Sequence, residues 1–270
     1  MTLLTIAGWI LGGWLLIVGL LFFGQRSLLY HPDPIPPDAA QLRAAAFQPL
    51  PVRTEDGLDL TAWHRPATAG RATVILFHGN AGNLSDRLFI GEPLVARGFG
   101  LVLAPYRGYG GAPGKPTEHG LVQDGRGTLA ALDARSVARR DIVLWGESLG
   151  GGVATRLAAE AAADGRPLRA LILQAPFTSV FARAGELYPF VPARWLVLDR
   201  FDNLSRIDAI GVPLLIVHGE ADTVVPAEHG RRLLEAAREP KVGVFIPHAG
   251  HNNLDTFGLV DRIAAFLDGL

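Results

Sequence analysis

Apolar and polar positions divide the chain into three regimes. From about Leu3 to Phe23 there is no charge and almost no polar side chain; as a helix this run covers roughly 30 Å, the thickness of bilayer hydrocarbon. From Tyr30 to Pro51 prolines recur at Pro32, Pro34, Pro36, Pro37, Pro49 and Pro51, the composition of a stiff, extended linker. Beyond it, short apolar runs alternate with longer amphipathic ones. Leu58 to His64 alternates after the turn Glu55-Asp56-Gly57, while Thr73 to Phe77, Gly100 to Leu103, Ile142 to Trp145, Leu171 to Leu173, Leu214 to Val217 and Val242 to Ile246 are continuously apolar. These predict strands, most of them buried on both faces. Helix patterns fall between them over 84–97, 121–138, 149–163, 226–238 and 255–268. The alternation predicts an α/β fold with a mostly parallel sheet covered on both sides, and in such sheets the site lies at the carboxyl ends of the strands. The expected organisation is a transmembrane anchor over 1–24, a proline-rich linker over 25–49 and a catalytic domain over 50–270.

The first run has a rival reading as a cleaved secretory signal. Against it stand the missing basic n-region, the length of the apolar run and the absence of a small-x-small site near Phe22-Phe23-Gly24-Gln25-Arg26. A single-pass anchor is therefore expected. Arg26 and Arg43 follow the span, so the positive-inside rule taken literally keeps the domain cytoplasmic, but one nearby arginine does not decide the side.

Composition removes several chemistries. No cysteine is present, which excludes disulfides, thiolate nucleophiles and cysteine metal sites. A formal net charge of -1 over 270 residues gives no footprint for nucleic acid. There is no G-x-x-x-x-G-K-[ST] or H-E-x-x-H, and Gly125-x-Gly127-x-x-Ala130 sits inside a helix pattern without a preceding strand, so it is not read as a dinucleotide fingerprint. No cofactor is expected.

The positive signals lie where predicted strands end. After Ile142 to Trp145 comes Gly146-Glu147-Ser148-Leu149-Gly150, a strand turning sharply into a helix with glycine two positions to either side of a projecting serine. After Thr73 to Phe77 comes His78-Gly79-Asn80-Ala81-Gly82-Asn83, a loop able to offer backbone N–H groups to an oxyanion. After the last two strands come His218-Gly219-Glu220-Ala221-Asp222 and Pro247-His248-Ala249-Gly250-His251-Asn252. The chain order Ser148, Asp222, His251 is that of a nucleophile-elbow hydrolase and not of the other serine triads.

With Tyr106-Arg107-Gly108-Tyr109-Gly110 added, these segments resemble the α/β-hydrolase superfamily, and within it the small membrane-anchored ABHD-type serine hydrolases. The resemblance covers nearly all of residues 50–270. It implies a central sheet of about eight strands flanked by helices, with a short cap. It makes Ser148 the nucleophile, His251 the general base and acid, and Asp222 the orienting carboxylate, with the backbone N–H groups of Asn80 and Leu149 as oxyanion hole. The chemistry agrees, since a serine hydroxyl needs a base that accepts and returns a proton near neutral pH. Glu220 and His248 are the rival acid and base. His78 and His218 are expected to support their loops, and His31, His64, His119 and His229 carry no partner pattern. Where the family commonly has an aspartate before the tyrosine and a serine after the second Tyr-Gly pair, this chain has Pro105 and Ala112.

Phe177 to Gly211 occupies the place of a cap and is rich in apolar side chains, among them Phe181, Leu187, Tyr188, Phe190, Trp195 and Leu198. The expected function is a membrane-anchored hydrolase of carboxylic esters or thioesters acting through an acyl-serine. Its partners would be a small acyl ester, thioester or acylated protein and the membrane, with no nucleic acid. A hydrolase-shaped binding protein and a peptidase are the alternatives. A peptidase needs an acidic pocket for the free amine, for which Glu186, Asp199 and Asp202 are the cap candidates.

Overall fold

Every apolar position along the inner strands is buried, and successive residues face opposite sides of the sheet, which places the two cores. The computed structural model describes residues 2–270. Its sheet has eight strands: β1 (Gln48–Arg53), β2 (Asp59–Arg65), β3 (Thr73–Phe77), β4 (Gly100–Leu103), β5 (Ile142–Glu147), β6 (Ala170–Gln174), β7 (Leu214–Gly219) and β8 (Lys241–Ile246). Their spatial order is 8-7-6-5-3-4-2-1. β1 runs antiparallel to β2 and β2 antiparallel to β4, while the remaining pairs are parallel. Ile75, Phe77, Leu144, Leu173 and Ile216 point into one core, and their neighbours Leu76, Val143, Trp145, Ile172 and Val217 into the other. A strand with both faces dry reads in sequence as a continuous apolar run, which is why these strands were recognisable.

The helices are α1 (Leu3–Leu29), α2 (Ala39–Ala44), α3 (Leu88–Ala96), α4 (Glu118–Asp133), α5 (Leu149–Ala163), α6 (Val180–Leu187), α7 (Ala193–Leu196), α8 (Ala227–Ala236) and α9 (Leu259–Asp268). α4 and α5 cover one face, with Leu121, Leu129, Val153 and Leu157 in the first core; α3 and α9 cover the other, with Leu94, Ile263 and Leu267 in the second. α6 and α7 form the short cap. Among the described residues α1 alone is long and apolar enough to cross a membrane.

Residues 25–49, expected as an extended linker, are not a spacer. α1 continues to Leu29 because nothing between Gly24 and Leu29 breaks a helix; it stops ahead of Pro32, which favours extended backbone at His31. His31–Pro32 then pairs in parallel with Ala81–Gly82. The side chain of Asp38 caps α2 by accepting from the N–H groups of Ala40 and Gln41. Tyr30, Leu42 and Phe47 are buried. The prolines at Pro49 and Pro51 also hid a strand: β1 is an edge strand, where a missing N–H costs no ladder bond, and Leu50 between them and Val52 after them are buried.

His64 on β2 gives the fold a pH dependence. It is buried, and neither ring nitrogen has a hydrogen-bond partner among the described residues. Burial, with help from the Arg135 charge, pushes its pKa down from 6.5 to about 4. The ring therefore stays neutral in the fold while the unfolded chain gains a proton as pH falls through 6.5, so stability is lost between pH 6.5 and pH 4. At pH 5 the loss from this one group is about 2 kcal/mol. Thermal unfolding of wild type and His64→Leu at pH 7 and pH 5 checks this: the drop in Tm on acidification should be smaller in the variant, and an identical drop would refute it.

Candidate active site

The turn between β5 and α5 is set by two glycines that have no room for a side chain. A Cβ on Gly146 would stand 2.5 Å from Cα of Gly151, and one on Gly150 would fall on the Phe77 carbonyl. With α5 held this close, Ser148 takes φ 47° and ψ −110°, a conformation that non-glycine residues adopt at a cost of about 1–3 kcal/mol. Its N–H donates to the Gln174 carbonyl at 2.8 Å, which ties the strained residue to β6. The hydroxyl points into a cleft. Leu149, next in sequence, opens α5, so its N–H is one of those a helix leaves without an internal partner.

The loops after β7 and β8 bring Asp222 and His251 to this serine. His251 Nε2 lies 3.0 Å from Ser148 Oγ, and Nδ1 lies 2.6 Å from Asp222 Oδ2. A carboxylate only accepts, so Nδ1 carries the proton and Nε2 is free to receive one from the hydroxyl. The other carboxylate oxygen accepts from the N–H groups of Val224 and Val225, both at 2.8 Å. His218 Nε2 donates to the Val225 carbonyl and stands 3.3 Å from Asp222 Oδ2. Burial alone would raise the Asp222 pKa, but the hydrogen bonds from His218 and His251 outweigh it and hold the group well below the usual carboxylate range. Glu220 points elsewhere, paired with Arg231 at 2.6 Å, and His248 is exposed.

The Asn80 loop is built to stay in place. The Asn80 side chain donates to the Leu29 carbonyl at 2.9 Å, and its own carbonyl accepts from His31 N–H and the Tyr109 hydroxyl, both at 2.8 Å. His78 beneath it donates from Nδ1 to the Gly79 carbonyl and packs against Tyr106 and Tyr109. Its burial pushes its pKa down to about 4, so it is a neutral support. His229, which carried no pattern, is satisfied between Thr178 and Glu186. The Tyr106 loop, which lacks the family's aspartate, is anchored instead by Arg107. Its side chain reaches Asp124 at 2.9 Å and Asp56 at 2.6 Å.

Two parts of the site escaped sequence reasoning. Glu147, inside the elbow motif, is held by Arg87 through contacts of 2.6 and 3.0 Å. The cleft itself, about 440 Å³, is bounded by Ser148, Leu149, Asn80 and His251 on its floor and by the cap and α1 on its sides. Its surface is mostly apolar, and its size suits a small ligand. Among the described residues no group of three or more His, Asp and Glu side chains is arranged to hold a metal ion.

A family model described as serine aminopeptidase, S33, matches residues 68–200. An uncharacterized protein of Mycobacterium tuberculosis is 38% identical over 93% of this chain and 90% of its own length. The lysophosphatidylserine lipase ABHD12 of Danio rerio is 31% identical over 70% of this chain and 58% of that protein, and human protein ABHD12B is 34% identical over 71% and 59%. An esterase of Pyrococcus furiosus has the same fold, with a TM-score of 0.70 at 19% identity, over 89% of this chain and 97% of its own.

The packing of the elbow makes a signed prediction. Gly150→Ala should lower stability by at least about 3 kcal/mol, because the added methyl meets backbone that cannot yield. Gly185→Ala in α6, where nothing lies within 4 Å, should raise it by about 0.5–1 kcal/mol. Thermal unfolding of both variants beside wild type reads the contrast, and equal Tm values would overturn it.

Proposed function

The chain belongs to the α/β-hydrolase superfamily, among its ABHD-type members, and from that premise we propose a membrane-anchored serine hydrolase that cleaves acyl esters or thioesters through an acyl-serine intermediate. The observation that carries the reading is the unbroken hydrogen-bonded line Ser148, His251, Asp222 at the floor of an apolar cleft. As the Ser148 oxygen bonds to the substrate carbonyl carbon, its proton passes to His251 Nε2, and Asp222 stabilises the imidazolium. The carbonyl oxygen, now negative, takes hydrogen bonds from the N–H groups of Leu149 and Asn80. Collapse expels the alcohol or thiol, which leaves with the proton from His251. Water then repeats the sequence on the acyl-serine and frees the acid.

The choice of ester over amide rests on where the acidic groups are committed. A peptidase acting on a free amino terminus needs a carboxylate without a partner in the cleft. Asp199 is paired with Arg26, Glu186 with Arg183 and His229, and Asp202 does not line the cleft. The esterase and lipase names among the relatives and the apolar cleft wall favour an acyl group with a hydrophobic chain. The anchor reading rests on the length and apolar composition of α1.

Labelling of the full-length protein with a fluorophosphonate should mark wild type and not Ser148→Ala; a labelled, active Ser148→Ala would remove the nucleophile from the reading. Asp222→Asn should lower kcat by about 10³–10⁴-fold, whereas Glu220→Gln should leave it within about twofold. The reverse ranking would reassign the acid. After expression the protein should stay with membranes through a carbonate wash. A soluble form beginning near residue 25 would instead identify a cleaved signal.

A further inference from the structure

Helix α1 is docked against the cap along the second half of its length. Val18, Leu21, Phe22 and Gln25, spaced i, i+3, i+4, i+7 and so sharing one face, line the cleft that holds Ser148 and His251. This face is partly covered, whereas Leu20 and Phe23 on the other side are 66% and 88% exposed. Polar contacts fix the helix at both ends of the docked stretch. Trp14 Nε1–H donates to the Phe190 carbonyl at 2.9 Å. Eleven residues on, Gln25 donates to the Leu196 carbonyl at 3.3 Å and accepts from Leu198 N–H at 2.8 Å, and Arg26 pairs with Asp199 at 2.9 Å. A helix serving only as a tether has no need of contacts that span three turns.

We infer that α1 is a wall of the substrate site: the acyl chain of the ester lies between α1 and the cap, and Val18, Leu21 and Phe22 determine the chain length the enzyme accepts. The inference rests on Ser148 being the nucleophile. Its physical basis is continuity. The same helix that lines the cleft beside the serine is exposed and almost wholly apolar from Leu3 to Gly13, and the cap exposes Leu187, Phe190, Trp195 and Leu198. These surfaces are suited to hydrocarbon. A chain lying along α1 passes from the lipid layer to the serine without crossing water, so apolar surface stays out of solvent throughout.

The test uses full-length protein in mixed micelles with p-nitrophenyl butyrate and p-nitrophenyl palmitate. Leu21→Trp narrows the cleft and should cut the palmitate-to-butyrate ratio of kcat/KM by about tenfold or more. Leu20→Trp, one position away on the exposed face, should leave the ratio at the wild-type value. An unchanged ratio in Leu21→Trp, or an equal fall in Leu20→Trp, overturns the inference. If Leu21→Trp loses butyrate turnover as well, Leu21→Ala decides: a chain-length optimum moved to longer esters supports the wall, and an unmoved optimum overturns it. Failure of the nucleophile reading is separately visible as turnover retained in Ser148→Ala.

Discussion

The approach of α5 to the ends of β3 and β5 is the constraint on which the site depends. Gly150 lies against the backbone of Phe77 with no space for a Cβ, so α5 starts one residue after the serine and the chain bends there within a single residue. The bend forces Ser148 to positive φ. Its strain is small against the apolar burial that drives α5 onto the sheet: Val153, Ala154, Leu157 and Ala158 are all buried, and each large side chain contributes about 1.5–3 kcal/mol. Two properties of the site follow from the one bend. The hydroxyl is lifted clear of the sheet, and Leu149, whose N–H is freed by its place at the start of α5, lines the same cleft.

A second requirement is a carboxylate that stays charged without water. Asp222 has a fully buried side chain, and an unpaired charge there would be neutralised by a raised pKa. Three hydrogen bonds prevent this, from two backbone N–H groups of the tight turn that follows it and from His251, with His218 Nε2 at the end of β7 standing 3.3 Å away. The His218 ring thus supports the charged form of the carboxylate, which in turn holds the His251 ring through Nδ1. Arg107 repeats the logic beside the Asn80 loop, where its guanidinium spans a buried carboxylate, Asp124, and a more exposed one, Asp56.

The central strands and the three residues of the line were legible in the sequence for one reason: each signal was local. A doubly buried strand is a continuous apolar run, and Ser148, Asp222 and His251 each follow such a run in a glycine-containing turn. β1 was illegible because Pro49 and Pro51 read as linker, and only its place at the sheet edge makes them tolerable. The continuation of α1 and the folding of residues 25–49 onto the domain were hidden because their partners are remote. Asn80 meets Leu29 across 51 positions, and Arg26 meets Asp199 across 173. The Arg87–Glu147 pair was missed likewise, since the elbow motif names its glycines and serine and leaves the glutamate's partner unspecified.

The contacts at the end of α1 bear on how a hydrophobic helix is held rigidly against a catalytic domain. α1 has 27 residues and is about 40 Å long, some 10 Å more than bilayer hydrocarbon. Apolar contact alone would not orient it, because a greasy helix can slide and rotate against a greasy cap at little cost. Polar groups remove that freedom. Asp199 is almost fully buried and accepts from Arg26 and from the N–H of Glu118, the first residue of α4, while the Glu118 carboxylate accepts from the N–H groups of Arg200 and Phe201. Detaching Arg26 would therefore strand a buried carboxylate, a change that costs far more than breaking a surface ion pair. Through Asp199 the helix is registered against α4, which carries Asp124, which in turn holds Arg107 in the Tyr106 loop. The same set of contacts that anchors the Tyr106 loop, whose Tyr109 holds the Asn80 carbonyl, thus fixes the angle at which α1 meets the domain.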